Sequence, residues 1–295
     1  MSKILITGAT GGLGSNVAEF LKEKIGATNI AVLVRDKNAE KAKHYLEQGF
    51  DIRVADYDNL DALKIAFANI DMLYFVSGSD INNRLSQHEN VVNAAKEVGI
   101  KHILYTSTVR NDETEKSPLH LVVDAHIKTE EWIKESGITY TILRHNLYAE
   151  VVPMFIGSKE QLQETKTVYL PTGDGKTAFA LRKDFAEAEA IILNEPEKHA
   201  NKIYEFNGSK LITFNDIATY LSEVIGETIN YVSPTVPEFE ATLKSVGLPA
   251  EIIGMTTGFS LGIASGEFEK TKSDLETILG RKTQILSSFI KKMYK

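Results

Sequence analysis

Residues 4–14 of the chain read ILITGATGGLG: a short apolar run, then glycines at 8, 11 and 14, then a helical pattern. The spacing G-x-x-G-x-x-G is a variant of the dinucleotide fingerprint G-x-G-x-x-G. Glycines allow a tight turn and a close approach of backbone N–H groups to a pyrophosphate, and the helix N-terminus adds positive charge. A glycine-rich turn without any ligand is the plainer interpretation. We predict a dinucleotide site that includes Gly8, Thr10, Gly11, Gly12, Leu13 and Gly14.

Short apolar runs alternate with helical patterns through the first half of the chain. After the first run, they lie at residues 30–34, 52–55, 72–76, 102–106 and 138–143. Continuous apolar strands that are separated by helices are typical of a parallel sheet covered on both faces. The sequence therefore predicts an α/β fold, a doubly wound parallel sheet of the Rossmann type, with a smaller, mixed C-terminal lobe.

The pattern loosens after residue 150, where prolines and irregular stretches accumulate. We predict a dinucleotide-binding domain at residues 1–150, completed by a returning strand near 202–206. A smaller substrate-side lobe at 151–295 is then interleaved with the sheet. Two local features are also expected. One is a helix cap at Asp58 with Asp61 three residues later, and the other is a last helix from Leu275 to Phe289, interrupted at Gly280.

The composition limits the classes of function. The chain has 295 residues, with 33 basic and 40 acidic side chains and no cysteine. Without cysteine there are no disulfides, thiolate nucleophiles, Cys-ligated zinc ions or iron–sulfur clusters. A net charge of −7 without a long basic run argues against nucleic-acid binding, and no apolar run is long enough for a membrane span. The histidines lack metal-binding spacing, so we expect no metal. The apolar stretch at residues 4–6 is too short for a signal peptide, so we expect a cytoplasmic protein.

The ends of the second, third and fourth strands suggest how a dinucleotide is bound. An arginine after the second strand favours the 2′-phosphate of NADP(H), whereas a carboxylate there favours NAD(H). Here Arg35 comes first and Lys37 lies close by, so NADPH is favoured, although Asp36 could instead serve NADH. The other expected contacts are Asp56, Tyr57, Ser77, Gly78 and Ser79.

Further markers follow the glycine loop: Tyr105-Thr106-Ser107, Leu143-Arg144 and the unusual string LKSVGLP at 243–249. With them, the chain resembles the NmrA-like, atypical branch of the short-chain dehydrogenase/reductase superfamily over its whole length. Within that branch it is most similar to the bacterial QorB-like NAD(P)H:quinone oxidoreductases. The resemblance implies an NADPH-dependent reductase, and it adds Thr106 and Ser107 to the cofactor-binding residues.

The chain departs from the superfamily at its catalytic dyad, Tyr-x-x-x-Lys. Alignment on Glu130 places Val122 at the tyrosine position and His126 at the lysine position. Without the dyad, alcohol–ketone chemistry lacks its general acid. Reduction of a quinone gives a delocalised anion that solvent can protonate, so it needs mainly orientation and an apolar slot. Three side chains are weak candidates for a proton donor: His126, Asn146 and Tyr148.

The slot for a flat acceptor is expected after the sixth strand and near residue 180. Its candidate residues are His145, Asn146, Leu147, Tyr148, Glu150, Phe179 and Arg182. Packing is the plainer role for Leu147 and Phe179, and pairing with Asp184 or Glu187 is the plainer role for Arg182. The expected partner is a small quinone-like molecule, and the sequence is also compatible with a homodimer.

Two classes of function fit the missing dyad. One is an NADPH-dependent reductase of quinones or similar flat electrophiles, with azo and triphenylmethane dyes as further acceptors. The other is a non-catalytic sensor of the NmrA type, which binds NADP(H) and reports the redox state to a partner. A Ser107–His126–Asp124 triad is disfavoured because no nucleophile elbow surrounds the serine.

Overall fold

The computed structural model describes residues 2–295. The strands are β1 (Ile4–Ile6), β2 (Ile30–Val34), β3 (Asp51–Val54), β4 (Met72–Phe75), β5 (His102–Thr108), β6 (Thr139–His145), β7 (Thr167–Tyr169), β8 (Lys202–Phe206) and β9 (Asn230–Val232). The helices are α1 (Gly12–Ile25), α2 (Glu40–Glu47), α3 (Leu60–Phe67), α4 (Arg84–Val98), α5 (His120–Glu135), α6 (Val152–Ile156), α7 (Lys159–Thr165), α8 (Arg182–Asn194), α9 (Phe214–Ile225), α10 (Val236–Ser245), α11 (Ala250–Ala264), α12 (Asp274–Leu279) and α13 (Leu286–Tyr294).

Seven of these strands form one parallel sheet, in the order β3-β2-β1-β4-β5-β6-β8. The direction in which strands are added reverses between β1 and β4. In open α/β sheets, ligands bind outside the carboxyl ends of the strands at such a switch point. The doubly wound sheet predicted from the sequence is confirmed, and the strand at 202–206 returns to its edge beside β6.

The sheet is covered on both faces because side chains alternate along each strand. Ile4 and Ile6 pack in the layer of α1, α2, α8 and α12, whereas Leu5 packs in the layer of α3, α4 and α5. All three residues are at most 3% exposed, as expected for strands covered on both faces. The carboxyl ends of the strands are therefore the part of the sheet left open for a ligand.

The residues after β6 build a second core around α6, α9, α13 and the small β7–β9 sheet. One helix of this region, α11, returns to the open edge of the main sheet. It lies against the start of α5 because Gly262 has no side chain: a Cβ there would be 2.6 Å from Leu119 Cδ1. This contact brings the C-terminal region beside the predicted dinucleotide site.

Three local predictions differ from the structure. The cap of α3 is Asn59, whose side chain accepts from the Ala62 N–H, rather than Asp58. Strand β6 reaches His145, because it pairs with β8 there, so one residue of the predicted slot lies within the sheet. The predicted interruption of the last helix at Gly280 is confirmed, because Gly280 ends α12 in the left-handed conformation, but α13 begins only at Leu286 and runs to Tyr294, beyond the predicted end at Phe289.

Candidate functional site

A groove of about 390 Å³ runs along the carboxyl ends of β1–β4, and we call it the glycine-loop groove. It contains nine of the predicted cofactor residues: Gly8, Thr10, Gly11, Arg35, Asp56, Tyr57, Ser77, Gly78 and Ser79. The other predicted residues Gly12, Leu13, Gly14, Lys37, Thr106 and Ser107 do not line it. The spacing of residues along the chain thus locates the groove, but not every side chain that faces it.

The glycines of the loop have different structural roles. Gly8 has φ +59°, a left-handed conformation that favours glycine. A Cβ on Gly14 would lie 2.5 Å from the carbonyl oxygen of Gly8, so Gly14 serves the close packing of α1 on the turn. Gly11 lies in the groove with extended backbone angles. Leu13, at 5% exposure, belongs to the core under α1.

The charged residues after β2 make different contacts around the groove. Arg35 lines the groove, and Asp36 Oδ1 accepts from the Asn38 N–H at 2.8 Å, which closes a local turn. Lys41, which we did not predict, donates from Nζ to the Thr10 carbonyl oxygen at 2.6 Å and so lies over the glycine loop. Lys41 is on α2, away from the end of the strand, and the sequence carries no local signal for it. One carboxylate oxygen of Asp36 is thus engaged by the backbone, whereas Arg35 lines the groove.

The loop after β4 is held from behind by side chains that do not line the groove. The Ser77 N–H donates to Thr106 Oγ1 at 2.9 Å, and the Gly78 N–H donates to His88 Nε2 at 2.9 Å. Burial, followed by the nearby Arg84 charge, lowers the pKa of His88 to about 3 and keeps it a neutral acceptor. Thr106, predicted as a cofactor contact, acts here as a support for the loop.

Ser107 is part of a buried ion cluster. Its hydroxyl donates to Glu130 Oε1 at 2.6 Å, and the same carboxylate pairs with Arg110 and Arg144. Burial alone would raise the pKa of Glu130, but the hydrogen bonds from the two arginines outweigh it and lower the pKa to about 2. Ser107 is therefore engaged in the interior, and the carboxylate that it contacts is a weak base because its pKa is so low.

The position of the missing lysine is occupied by a buried, neutral histidine. His126 is 5% exposed, and its Nδ1 lies 2.8 Å from the Tyr105 hydroxyl. Burial, reinforced by the Arg84 charge, holds the pKa of His126 well below its usual range. A neutral imidazole with this low pKa is a poor proton donor at neutral pH.

Most of the predicted slot residues belong to packing and hydrogen-bond networks. Asn146 is 2% exposed, and its Nδ2 donates to Asn207 Oδ1 and to the Phe268 carbonyl oxygen. Phe179 packs in the lobe core together with the partly buried Leu147. Glu150 accepts from the backbone N–H of Arg182 at 3.0 Å. These contacts fix the loop after β6 and take Asn146 out of reach as a proton donor.

His145 and Tyr148 form a chain of polar contacts with a buried carboxylate. The Tyr148 hydroxyl lies 2.9 Å from His145 Nδ1, and His145 Nε2 lies 2.7 Å from Glu189 Oε1. The hydroxyl of Tyr74 donates to the other oxygen of Glu189. Burial and the Glu189 charge raise the pKa of Tyr148 well above its usual range. The hydroxyl of Tyr148 thus points inward and is held there.

A second opening, which we call the apolar cavity, has a volume of about 470 Å³. It shares Ser79 and Asp80 with the glycine-loop groove, so the two openings meet at the loop after β4. Its other lining residues are Ile81, Asn82, Pro118, Leu119, Leu121, Val122, Glu251, Ile252, Gly254, Met255, Gly258 and Phe259. None of the predicted slot residues lines it, because the wall comes from α5 and α11 rather than from the loop after β6.

The described residues contain no group of three or more His, Asp or Glu side chains placed to hold a metal ion. Across residues 2–295, no helix combines the length and hydropathy that a bilayer crossing requires. The groove itself is lined by one cationic side chain, Arg35, three carboxylates at Asp56, Asp58 and Asp80, and the hydroxyls of Thr10, Tyr57, Ser77 and Ser79.

Known proteins resemble this chain over nearly its whole length. The model of the NmrA-like family matches residues 1–289. Quinone oxidoreductase 2 of Escherichia coli (strain K12) is 36% identical over 291 residues, which cover 99% of this chain and 98% of that protein.

Two solved structures have the same fold over nearly the whole chain. The E. coli NADPH-dependent quinone oxidoreductase QOR2, complexed with NADPH, superposes with a TM-score of 0.90 at 35% identity, covering 99% of this chain and 100% of that one. The Citrobacter sp. triphenylmethane reductase complexed with NADP(H) superposes with a TM-score of 0.87 at 32% identity and the same coverage.

Proposed function

From the premise that this chain belongs to the NmrA-like family, we propose that it is an NADPH-dependent oxidoreductase that transfers hydride to a quinone or a similar flat electrophile. The observation that carries the proposal is the junction of the two openings. The glycine-loop groove and the apolar cavity meet at Ser79 and Asp80. A cofactor in the first can therefore face an apolar acceptor in the second.

The glycine-loop groove fits a dinucleotide. Gly8 and Gly11 line the groove beside the N-terminus of α1. The turn is tight there, since a Cβ on Gly11 would lie 3.2 Å from the Gly8 carbonyl oxygen. Arg35 supplies a cation for a 2′-phosphate, and Asp56 can accept from an adenine amino group. When bound, the reduced nicotinamide supplies the hydride.

The apolar cavity can hold and orient the acceptor. Its wall includes Leu119, which caps α5, Val122 from α5, and Met255 and Phe259 from α11. An apolar slot of this kind binds a flat ring by burial of its surface. Orientation of the ring against the cofactor is the main catalytic contribution that these residues offer.

None of the three predicted donors is suited to protonate the product, and none of them lines either opening. His126 is buried and neutral, Asn146 is fully engaged, and the Tyr148 hydroxyl points inward. A reduced quinone is a stabilised anion, which takes its proton from solvent after the hydride has arrived. The missing dyad therefore favours quinone-like acceptors over ketones.

The remaining expectations stay predictions. These are the division into residues 1–150 and 151–295, a cytoplasmic location, a homodimer and the lack of nucleic-acid binding. A sensor that binds NADP(H) without turnover predicts the same groove. It does not require an apolar cavity beside it, and that cavity is why we favour the enzyme.

Turnover is tested by mixing protein, NADPH and a benzoquinone and following the absorbance of the reduced cofactor, with the uncatalysed rate subtracted. Azo and triphenylmethane dyes serve as parallel acceptors. Met255→Trp should fill the apolar cavity and raise the acceptor KM at least tenfold while NADPH affinity stays unchanged. Ile65→Trp, at a 75% exposed position on α3, is the matched control. NADPH binding without turnover of any acceptor would support the sensor instead.

A further inference from the structure

Arg182, the first residue of α8, extends its side chain over the glycine loop. Its Cδ lies 3.3 Å, and its Nε 3.7 Å, from the position that a Cβ on Gly12 would occupy. Gly12 is the first residue of α1. The guanidinium is therefore beside the helix N-terminus that a pyrophosphate is expected to approach.

The Arg182 guanidinium lies near other positive groups and, in the described part of the chain, has no carboxylate partner. Within residues 2–295, no carboxylate forms an ion pair with it, since Asp184 and Glu187, its expected partners, pair with Arg281 instead. The positive end of the α1 dipole repels a cation. Lys41 adds a second positive charge where it contacts Thr10 on the same loop. Positive groups that converge from α1, α2 and α8 form a site for a negatively charged ligand.

The position of the guanidinium is fixed by a rigid aromatic platform. The Arg182 guanidinium carbon lies 4.6 Å above the centre of the Tyr148 ring, within cation–π range. Tyr148 is in turn held through His145 and the buried Glu189, which link the platform to the sheet. The Arg182 backbone is anchored by its N–H donation to Glu150. Both ends of the arginine are thus preorganised.

We propose that Arg182 binds the pyrophosphate of the dinucleotide and clamps it against the glycine loop from the α8 side. This assignment rests on the proposed function only for the identity of the cofactor. It differs from the role predicted from sequence, in which Arg182 contacts the acceptor. It also gives Tyr148 a role as the support of the guanidinium rather than as a proton donor.

The test compares equilibrium affinities, by calorimetry, for three ligands: NADPH, ADP and adenosine 2′-monophosphate. ADP carries a pyrophosphate without a 2′-phosphate, and adenosine 2′-monophosphate carries the reverse. Arg182→Met keeps the length of the stem and removes the charge. It should weaken NADPH and ADP by roughly ten- to a hundredfold, the scale of lost charge-assisted bonds. Its affinity for adenosine 2′-monophosphate should stay within twofold of the wild type.

Controls separate the clamp from other effects. Lys183→Met changes the next, exposed side chain of α8 and should leave all three affinities unchanged. Arg182→Lys should recover part of the ADP affinity, because it restores the charge without the planar fork. Tyr148→Leu should weaken ADP in the same direction as Arg182→Met, by removing the platform. Melting temperatures without ligand show whether each variant is folded.

The outcomes distinguish the clamp from the proposed function. If the wild type binds NADPH, and Arg182→Met binds both NADPH and ADP as tightly as the wild type does, the clamp is wrong and the proposed oxidoreductase function stands. If Arg182→Met weakens adenosine 2′-monophosphate as much as ADP, the residue acts on the site as a whole and the assignment to the pyrophosphate fails. A wild type that binds none of the three ligands would overturn the proposed function itself.

Discussion

Nδ1 of His126 lies 2.8 Å from the hydroxyl of Tyr105, in the interior between α5 and β5. Tyr105 is fully buried, and the imidazole is 5% exposed. The position that the alignment on Glu130 assigned to the lysine of the superfamily dyad is thus turned toward the core of the protein. This contact makes His126 a structural residue, and the first prediction follows from it.

His126→Gln should lower kcat for quinone reduction by less than tenfold. Loss of a general acid or base typically costs 10²- to 10⁴-fold. Since the pKa of His126 is held well below its usual range, the wild-type kcat should also be nearly constant between about pH 6 and pH 8. The measurement is a pH–rate profile of both proteins at saturating NADPH. A thousandfold drop in a folded variant would show that His126 delivers the proton.

Arg35→Ala should weaken NADPH binding by roughly ten- to a hundredfold, because a charge-assisted contact to the 2′-phosphate is lost. NADH affinity should change by less than twofold, since NADH carries no group at that position. Lys37→Ala is the matched control, because Lys37 is exposed and does not line the groove. Equal affinities of the wild type for NADPH and NADH in a direct titration would contradict the assignment.

Two glycines of the loop should respond differently to an added side chain. Gly11 has φ −85° and ψ 170°, so Gly11→Val should fold and yet lose NADPH affinity, because the side chain enters the groove. Gly14→Ala should instead lower the melting temperature, because its Cβ would meet the Gly8 carbonyl oxygen at 2.5 Å. Calorimetry and thermal unfolding measure the two effects. Wild-type NADPH binding by Gly11→Val would show that the loop is misassigned.

The stability of the fold should fall as the pH drops from 7 to 5, and His102 should account for part of the loss. Burial lowers the pKa of His102 to about 4, so at pH 5 the unfolded chain binds a proton there and the native protein does not. Stability therefore decreases as pH falls below the unfolded value near 6.5, by about 2 kcal/mol for this group at pH 5.

His102→Gln tests this linkage, because an amide can still donate to Thr141, which His102 Nε2 contacts at 2.9 Å. Urea unfolding at pH 7 and at pH 5 gives the change in free energy for each protein. The variant should lose about 2 kcal/mol less than the wild type over this interval. His44→Gln, on the exposed surface of α2, should behave as the wild type does. An identical loss in His102→Gln would mean that the native histidine is protonated too.

The fold and the cofactor half of the site are largely predictable from the sequence, because the signals are local. The run Ile4–Ile6 and the following glycines specify a strand, a turn and a helix within a few residues. The residues after each strand then meet at one edge, since parallel strands place their carboxyl ends together. Arg35, Asp56 and Ser77 reach the same groove for this reason.

The acceptor half of the site was decided only by tertiary packing. The apolar cavity joins Leu119 to Phe259, which are remote in the chain, and it exists because Gly262 lets α11 lie against α5. Likewise, Arg182 reaches Gly12 only because α8 and α1 pack side by side on the same face of the sheet. Local sequence patterns determine which strands and turns form, whereas side-chain contacts between distant helices depend on how those elements pack together.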